Sequence, residues 1–455
     1  MLKREYSLIS DNIGKAILAF VLPMMLGSLI QQLYTMTDAV VVGQFTGKQG
    51  LAAIDSVHTL FKFPINFMNG LASGATILIS DAFGAKDHRK LNDSIQTALA
   101  VAIVLGLLGA AGGVVLSPSL LRILSVPKDI FQQTLLYTRI YFGGLWAMVL
   151  YNMAAGVLRA LGDTRRPLYV LIVCCVMNVL GDLLLVGMFR LGVAGAAAAT
   201  VAAQIVSVIC TLWFLNRSLE NGILGTEGFR VPKEKLLSMM RTGLPLAIQS
   251  MLFPIANTIV QAGVNQMGTD SIAAWGICGK LDMLIWLLAD AMSPALTTYT
   301  AQNIGAKQLH RVKEGNRIGA AMSAGAVAIV SIILYFGSGV FGSWFLSEQD
   351  GVILLPLVVH FMTMMCPFYI FYAVAEAFSG ACCGMGDTLR PMLTTMITIC
   401  LLRVLGIWFI LPHYRTMDCI VWIYVASWIA AGVAFSVMYT FKIRKLTQFA
   451  GNTAF

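Results

Sequence analysis

The stretch 391-PMLTTMITICLLRVLGIWFIL-411 runs for 21 residues with a single charge, Arg403. About 20 consecutive apolar residues are what a helix needs to cross the hydrocarbon core of a bilayer, where each backbone N–H and C=O must be satisfied within the helix itself. Comparable runs recur along the chain and predict twelve spans, at 14–45, 51–81, 93–116, 129–160, 165–189, 193–216, 236–266, 271–303, 314–338, 350–383, 389–411 and 417–441. Only 12% of the residues are charged, about half the share of a soluble chain. The expected fold class is an all-α integral membrane protein. Several spans exceed the bilayer thickness and so should tilt, bend or protrude. Pro23, Pro245 and Pro294 lie inside them as candidate kink sites.

The net charge of +9 would point to nucleic acid on a soluble protein. Here its distribution points to the membrane. The termini and even-numbered connections, with the helix ends beside them, hold 22 of the 31 lysines and arginines, and the odd-numbered connections hold 5. Cytoplasmic segments collect these residues. Both termini are therefore expected in the cytoplasm of a multi-pass protein of the cell (inner or plasma) membrane, with the bilayer and not nucleic acid as partner. The start, MLKREYSLISDN, is polar and leads into the first span, so no cleavable signal peptide is expected. The nine cysteines fall in or beside predicted spans without metal-ligand spacing and read as small packing residues.

The chain repeats itself. The segment 156-GVLRALGDTRRP-167 returns as 380-GACCGMGDTLRP-391, identical at six of twelve positions. Leu22-Pro23 recurs as Leu244-Pro245, Ala52-Ala53 as Ala273-Ala274, and Gly84-Ala85-Lys86 as Gly305-Ala306-Lys307, at offsets of 221 to 224 residues. Two copies of six helices enter the membrane from the same side, which makes a parallel repeat about an axis along the membrane normal. The predicted organisation is two pseudo-symmetric six-helix lobes, 1–216 and 236–455, joined by a polar cytoplasmic linker at 217–235. The repeated motif reads structurally. Gly162 and Gly386 end a helix in the left-handed conformation, Asp163-Thr164 and Asp387-Thr388 cap the next, and Pro167 and Pro391 suit its first turn.

Polar residues that the repeat does not share are better candidates for function. The counterpart of Asp38 lies near Ile259 or Val260, and those of Asn178 and Asp182 are Leu402 and Gly406. The fold therefore does not require acids there, and a carboxylate at membrane depth is a candidate functional site by default. Asn178 and Asp182 are four residues apart, on one helix face; Gln31, Tyr34 or Thr35, and Asp38 follow helical spacing too. Thr200, in 192-GVAGAAAAT-200, adds a hydroxyl from a helix whose small residues allow close approach. Two carboxylates, an amide and a hydroxyl suit a small hard cation, Na⁺, or a proton, and the sequence leaves both open. Glu376, the repeat partner of Asn152, joins Asp282, Asp290, Lys280 and Arg403 as charges of the second half, either ion-paired or in contact with a cationic substrate.

Twelve helices in two lobes, Gly-Ala-Lys loops after helices 2 and 8, and Gly-Asp-Thr turns after helices 4 and 10 resemble the multidrug and toxic compound extrusion (MATE) transporters, over essentially the whole chain. The resemblance implies a secondary active transporter, acting as a monomer, that exports bulky, often cationic or amphiphilic organic compounds in exchange for Na⁺ or H⁺ by alternating access. Asp38, Asn178, Asp182 and Thr200 match the cation site of the family's DinF-like branch, and Gln31, Tyr34 and Asn152 match positions lining its N-lobe cavity. Another branch places acids in helices 7 and 10, where this chain has Phe253 and Tyr372. The alternative reading is a lipid-linked saccharide flippase of related two-lobe architecture, favoured by Lys62, Arg139, Lys280 and Arg403 and opposed by the N-lobe acids. An enzyme is not expected: the five histidines form no HExxH or clustered site, no phosphate-binding loop appears, and the connections are too short for a catalytic domain. A channel is disfavoured by the paired lobes.

Overall fold

A computed structural model describes residues 7–219, 222–223 and 228–452, and every regular element among them is helical. α1 (Ile13–Gly84) holds two predicted spans in one run, bent at Gly47, whose φ of 66° and ψ of −168° no helix accommodates. α2 (His88–Ile123), α3 (Phe131–Gly143), α4 (Leu145–Ala160), α5 (Arg165–Asp182) and α6 (Gly192–Ser218) follow, and α5 continues as a π-helical turn over Leu183–Met188. Then come α7 (Lys233–Val264), α8 (Thr269–Leu281), α9 (Met283–Gly305), α10 (Leu309–Ser343), α11 (Glu348–Met365) and α12 (Tyr369–Gly384). α13 (Leu389–Thr395) and α14 (Leu402–Leu405) alternate with π-helical turns at Met396–Leu401 and Gly406–Ile410, before α15 (Met417–Asn452).

Among the described residues, nine helices are long and apolar enough to cross a membrane. Counting the bent pairs α3–α4 (41°) and α8–α9 (48°) as one span each gives eleven. The sequence predicts twelve. The difference is 51–81, which is helical as the second limb of α1 but carries Asp55, His58, Lys62, Asn66 and Asn69. The main breaks in helix geometry fall at Gly47, Gly144 and Asp282, whereas Pro23 and Pro294 lie within continuous helix.

The chain divides into two compact units. One takes in Leu22–Ala247; the other takes in Leu8–Val21 and Ile248–Phe455. The changeovers fall inside α1 and α7. In the first unit the core gathers buried side chains of α1, α2, α4 and α6, among them Val57, Ile79, Ile95, Leu121, Leu158 and Leu215. Gly70 and Gly74 lie directly on the backbone of Ala247 and Gly243, so a Cβ at either glycine would overlap main chain. Gln96 donates to the carbonyls of Ile223 (2.9 Å) and Gly228 (3.2 Å) and accepts from Arg230 N (2.7 Å), tying the chain beyond α6 to α2. In the second unit the core includes Val260, Ile285, Phe361, Tyr369, Ile420 and Trp428. Arg311 Nη2 donates to the carbonyls of Leu8 (3.2 Å) and Asp11 (2.7 Å), and Asn303 donates to Leu8 (3.2 Å), which fixes the start of the chain there.

The repeated motifs are helix punctuation. Gly162 and Gly386 have φ of 89° and 79°, the left-handed conformation that glycine adopts without steric penalty. Asp163 Oδ1 accepts from the backbone N–H of Arg165 (3.2 Å) and Arg166 (3.1 Å), and Asp387 Oδ1 from that of Arg390 (3.3 Å). Thr164 and Thr388, one residue on, make no side-chain cap. The Gly-Ala-Lys loops match as well: Lys86 and Lys307 have φ of 57° and 59°. Each lysine N–H reaches back to close the helix before it, to Phe83 O (3.1 Å) and Ile304 O (2.9 Å).

Candidate functional site

In the first unit, α5 and α6 approach closely because small residues face each other. A Cβ on Gly181 would stand 3.0 Å from that of Ala199. This contact brings Asn178 and Asp182, both fully buried, to Thr200. With its NH₂ turned toward the carboxylate, the Asn178 amide donates to Asp182 Oδ2 at 2.9 Å, and its oxygen lies 3.2 Å from Thr200 Oγ1. Thr200 Oγ1 is also held 3.0 Å from the carbonyl of Ala196, one turn back. α1 supplies Asp38, whose carboxyl group is in hydrogen-bonding contact with that of Asp182, and Tyr34, whose hydroxyl bonds the Thr200 side chain. Asp38 Oδ1 and Asp182 Oδ1 are both buried without a hydrogen-bond partner. Two carboxylates in contact repel unless a proton or a cation lies between them. The π-helical turn begins immediately after Asp182, and such widened turns are frequent at functional sites.

Aromatic side chains close one side of this cluster. Phe61 stacks on Tyr141 with ring centroids 4.0 Å apart and meets Tyr137 at 6.0 Å and Phe142 at 5.2 Å. Tyr137 lies in the field of both Asp38 and Asp182, and Tyr141 in that of Asp38. Neither tyrosine is singled out by the sequence. Their three-to-four-residue spacing on α3 was the available signal, but it is equally the spacing of ordinary helix packing. Gln31 is exposed and Asn152 half-buried; neither has a described hydrogen bond from its side chain to the cluster.

The second unit holds a cavity of about 410 Å³. Asp282, Asp290, Arg403 and Tyr372 line it, with a wall of Trp275, Trp286, Tyr424 and Trp428. Asp290 Oδ1 accepts from Tyr372 Oη at 2.8 Å and Asp282 Oδ2 from Tyr369 Oη at 2.9 Å. Arg403 donates from Nε to Ser427 Oγ (3.0 Å) and from Nη1 to Asn257 Oδ1 (2.9 Å), with its guanidinium 3.9 Å from the centre of the Tyr424 ring. Lys280 lies over the ring of Phe345 at 5.1 Å. Among the described residues no ion pair joins Arg403 or Lys280 to Asp282, Asp290 or Glu376. Of the two readings offered for these charges, ion pairing therefore finds no support. Glu376 is not among the cavity-lining residues; it bonds Ser293 and lies in the field of Asp290.

Long apolar helices in two units, with unmatched ionisable groups buried at membrane depth, define a multi-pass transporter-like membrane protein. The MatE family model matches residues 23–184 and 245–409, and the chain belongs to that family. Among curated relatives, the probable multidrug resistance protein YoeA of Bacillus subtilis is 28% identical over 434 residues, covering 94% of this chain and 92% of that protein. The FAD transporter of Shewanella oneidensis is 24% identical over 89% of each chain. The multidrug export protein MepA of Staphylococcus aureus is 23% identical over 71% of this chain and 72% of its own length. Of solved structures, a crystal structure of MATE in the bent conformation superposes with a TM-score of 0.88 at 20% identity, covering 98% of both chains, and so supports the fold. The match is to a family of transporters, not of enzymes, and it decides against the flippase alternative. It carries the family and not the DinF-like branch.

Proposed function

We propose that this protein is a multidrug efflux transporter of the MATE family that exports small organic, often cationic or amphiphilic, compounds by alternating access. Uptake of Na⁺ or H⁺ at Asp38, Asn178, Asp182 and Thr200 drives the cycle. The observation that carries the reading is the pair of contacting carboxyl groups, each with a buried oxygen that lacks a partner. The names of YoeA and MepA support the substrate class. The donor set fits the ion: Asp38 Oδ1 and Asp182 Oδ1 have no partner, and the Asn178 amide and Thr200 hydroxyl lie beside them. A hard cation takes such oxygens, and a proton bridges the same two carboxyls. Each charge crossing 100 mV supplies about 2.3 kcal/mol before any concentration gradient. The site's residues favour the DinF-like branch. Gln31, Tyr34 and Asn152 line the path in the first lobe, 1–216, and Glu376 contributes from the second, 236–455. The protein works as a monomer in the cell membrane. Both termini and the 217–235 linker are cytoplasmic, on the strength of the lysine and arginine asymmetry; outside labelling of cysteines placed in the linker tests this and should fail.

The decisive experiment is transport in proteoliposomes with Na⁺ and H⁺ gradients imposed separately, against a panel of organic cations. Substrate movement should follow one of the two gradients and collapse with it. Equal transport with neither gradient would overturn the coupling.

A further inference from the structure

A guanidinium offers five N–H donors. Arg403 is 1% exposed and uses Nε and Nη1 on neutral partners, while Nη2 has no hydrogen-bond partner. It sits between the π-helical turns Met396–Leu401 and Gly406–Ile410 on the wall of the second unit's cavity. Its guanidinium lies over the rings of Tyr424 (3.9 Å) and Phe253 (5.9 Å) and, among the described residues, forms no ion pair; a buried cation compensated by ring faces alone is costly. In the same wall Asp282, 7% exposed, leaves Oδ1 without a partner. Around them the rings of Trp275 and Tyr424 (5.4 Å), Tyr424 and Trp428 (5.7 Å) and Trp286 and Trp428 (5.9 Å) form a continuous aromatic surface. The cavity thus presents an unmatched cation, an unmatched acceptor and ring faces, at about 410 Å³, a size in the range of small-molecule sites.

We infer that this cavity binds an amphoteric aromatic compound: its acidic group on Arg403, its amine toward Asp282, and its ring against the tryptophans. The inference rests on the reading of the protein as a carrier of small organic compounds and names a substrate class for the second lobe. Nη2 and Oδ1 are covered in the structure. Seating the ligand therefore requires side-chain rotation of the kind that commonly accompanies binding.

Three nitroaromatic probes share one ring and differ in charge: 4-nitrophenylalanine carries both groups, 3-(4-nitrophenyl)propionate the acid alone, and 2-(4-nitrophenyl)ethylamine the amine alone. Each is titrated into the purified full-length protein in detergent, and quenching of tryptophan fluorescence reports binding. The amphoteric probe should bind tightest. Arg403→Gln should weaken both acid-bearing probes by about tenfold or more and leave the amine within about twofold; Asp282→Asn should do the reverse for the amine-bearing probes. Arg403→Lys, which keeps the charge without the fork, should fall between. Equal affinities for the three probes, a preference for the lone amine, or unchanged acid affinity in Arg403→Gln would each overturn the inference. The wild-type order alone decides if the variants do not fold. No binding by any probe would overturn this inference, while the reading of the protein as an exporter would still stand or fall on the gradient-driven transport assay. Because no gradient is present, the outcome is independent of whether Asp38 and Asp182 carry the coupling ion.

Discussion

Arg165–Met188 and Leu389–Ile410 are two copies of one helix, and they bring opposite charges into the membrane. At an offset of 224 residues, Asn178, Val179 and Asp182 of the first copy become Leu402, Arg403 and Gly406 of the second. Both copies interrupt the α-helix with π-helical turns, after Asp182 in one and on either side of Arg403 in the other. The repeat preserved a local backbone device, while the side chains at that device diverged in sign. In the first unit the partner helix adds a second acid, Asp38; in the second it adds the neutral Asn257, which accepts from the arginine. One half gathers two contacting carboxyl groups, where we propose that a small cation or a proton binds. The other is built around a fixed cation of its own and keeps its acids, Asp282 and Asp290, on tyrosine hydroxyls.

The largest expected effect tests whether coupling belongs to the first half alone. On the proposed mechanism, Asp38→Asn and Asp182→Asn each remove a charge that the transported ion neutralises in every cycle. Each should reduce gradient-driven export to background, at matched expression in the same vesicles. Glu376→Gln, in the second half, should change which substrates move or how fast, and transport should still depend on the gradient. If both aspartate variants keep full coupled transport while Glu376→Gln loses it, the two halves have been assigned the wrong way round.

The next effect concerns packing at the repeated motif itself. Gly380 lies directly on the main chain of Ser293, and a Cβ there would overlap its carbonyl. Its repeat partner Gly156 would place a Cβ 3.1 Å from the Thr76 hydroxyl, a group that can rotate away. Gly380→Ala should therefore cost roughly 1–3 kcal/mol of stability, and Gly156→Ala less than about 1 kcal/mol, read as thermal unfolding of the purified proteins. Equal losses would mean that the second half yields as readily as the first.

The sequence made the shared features of the halves legible and the unshared ones only partly so. Apolar run length revealed the spans, because a helix in lipid has no other way to satisfy its backbone. The second limb of α1 is helical over 51–81 as the sequence predicts, but Asp55, His58 and Lys62 interrupt its apolar residues, so it is the least apolar of the predicted spans. The grouping of Asn178, Asp182, Thr200, Tyr34 and Asp38 was readable from helical spacing and from the missing repeat partners, and the structure brings these five together. Tyr137 and Tyr141 were not readable, because they come from α3, a helix whose register against α2 and α6 only packing determines. The π-helical turns were equally hidden: one extra residue per turn leaves no mark in an apolar run. Arg403 stood out as a charge in lipid, but its neutral partners Ser427 and Asn257 lie on two other helices that no spacing rule connects.

The smallest effect separates the two copies of the Gly-Asp-Thr turn. Asp163 and Asp387 both accept from backbone N–H groups at a helix start. Replacing either by Ala should cost about 0.5–2 kcal/mol, the usual loss for a helix cap. Asn preserves the acceptor and removes only the charge, so Asp→Asn isolates the ion pairs. Asp163 pairs with Arg166 at 3.3 Å, both about a fifth to a quarter exposed. Asp387 pairs with Lys442 at 3.0 Å and with Arg390 at 3.6 Å, and the Lys442 side chain is only 15% exposed, the more buried of these partners. Asp387→Asn should therefore destabilise slightly more than Asp163→Asn, by less than about 1 kcal/mol, since partly solvated pairs contribute little. Neither change should alter the dependence of transport on Na⁺ or H⁺, because both carboxylates are already held by backbone donors and neighbouring cations. A well-folded Asp387→Asn protein with altered cation dependence would show that the turn participates in coupling. The structural reading of the repeat would then hold for the first copy only.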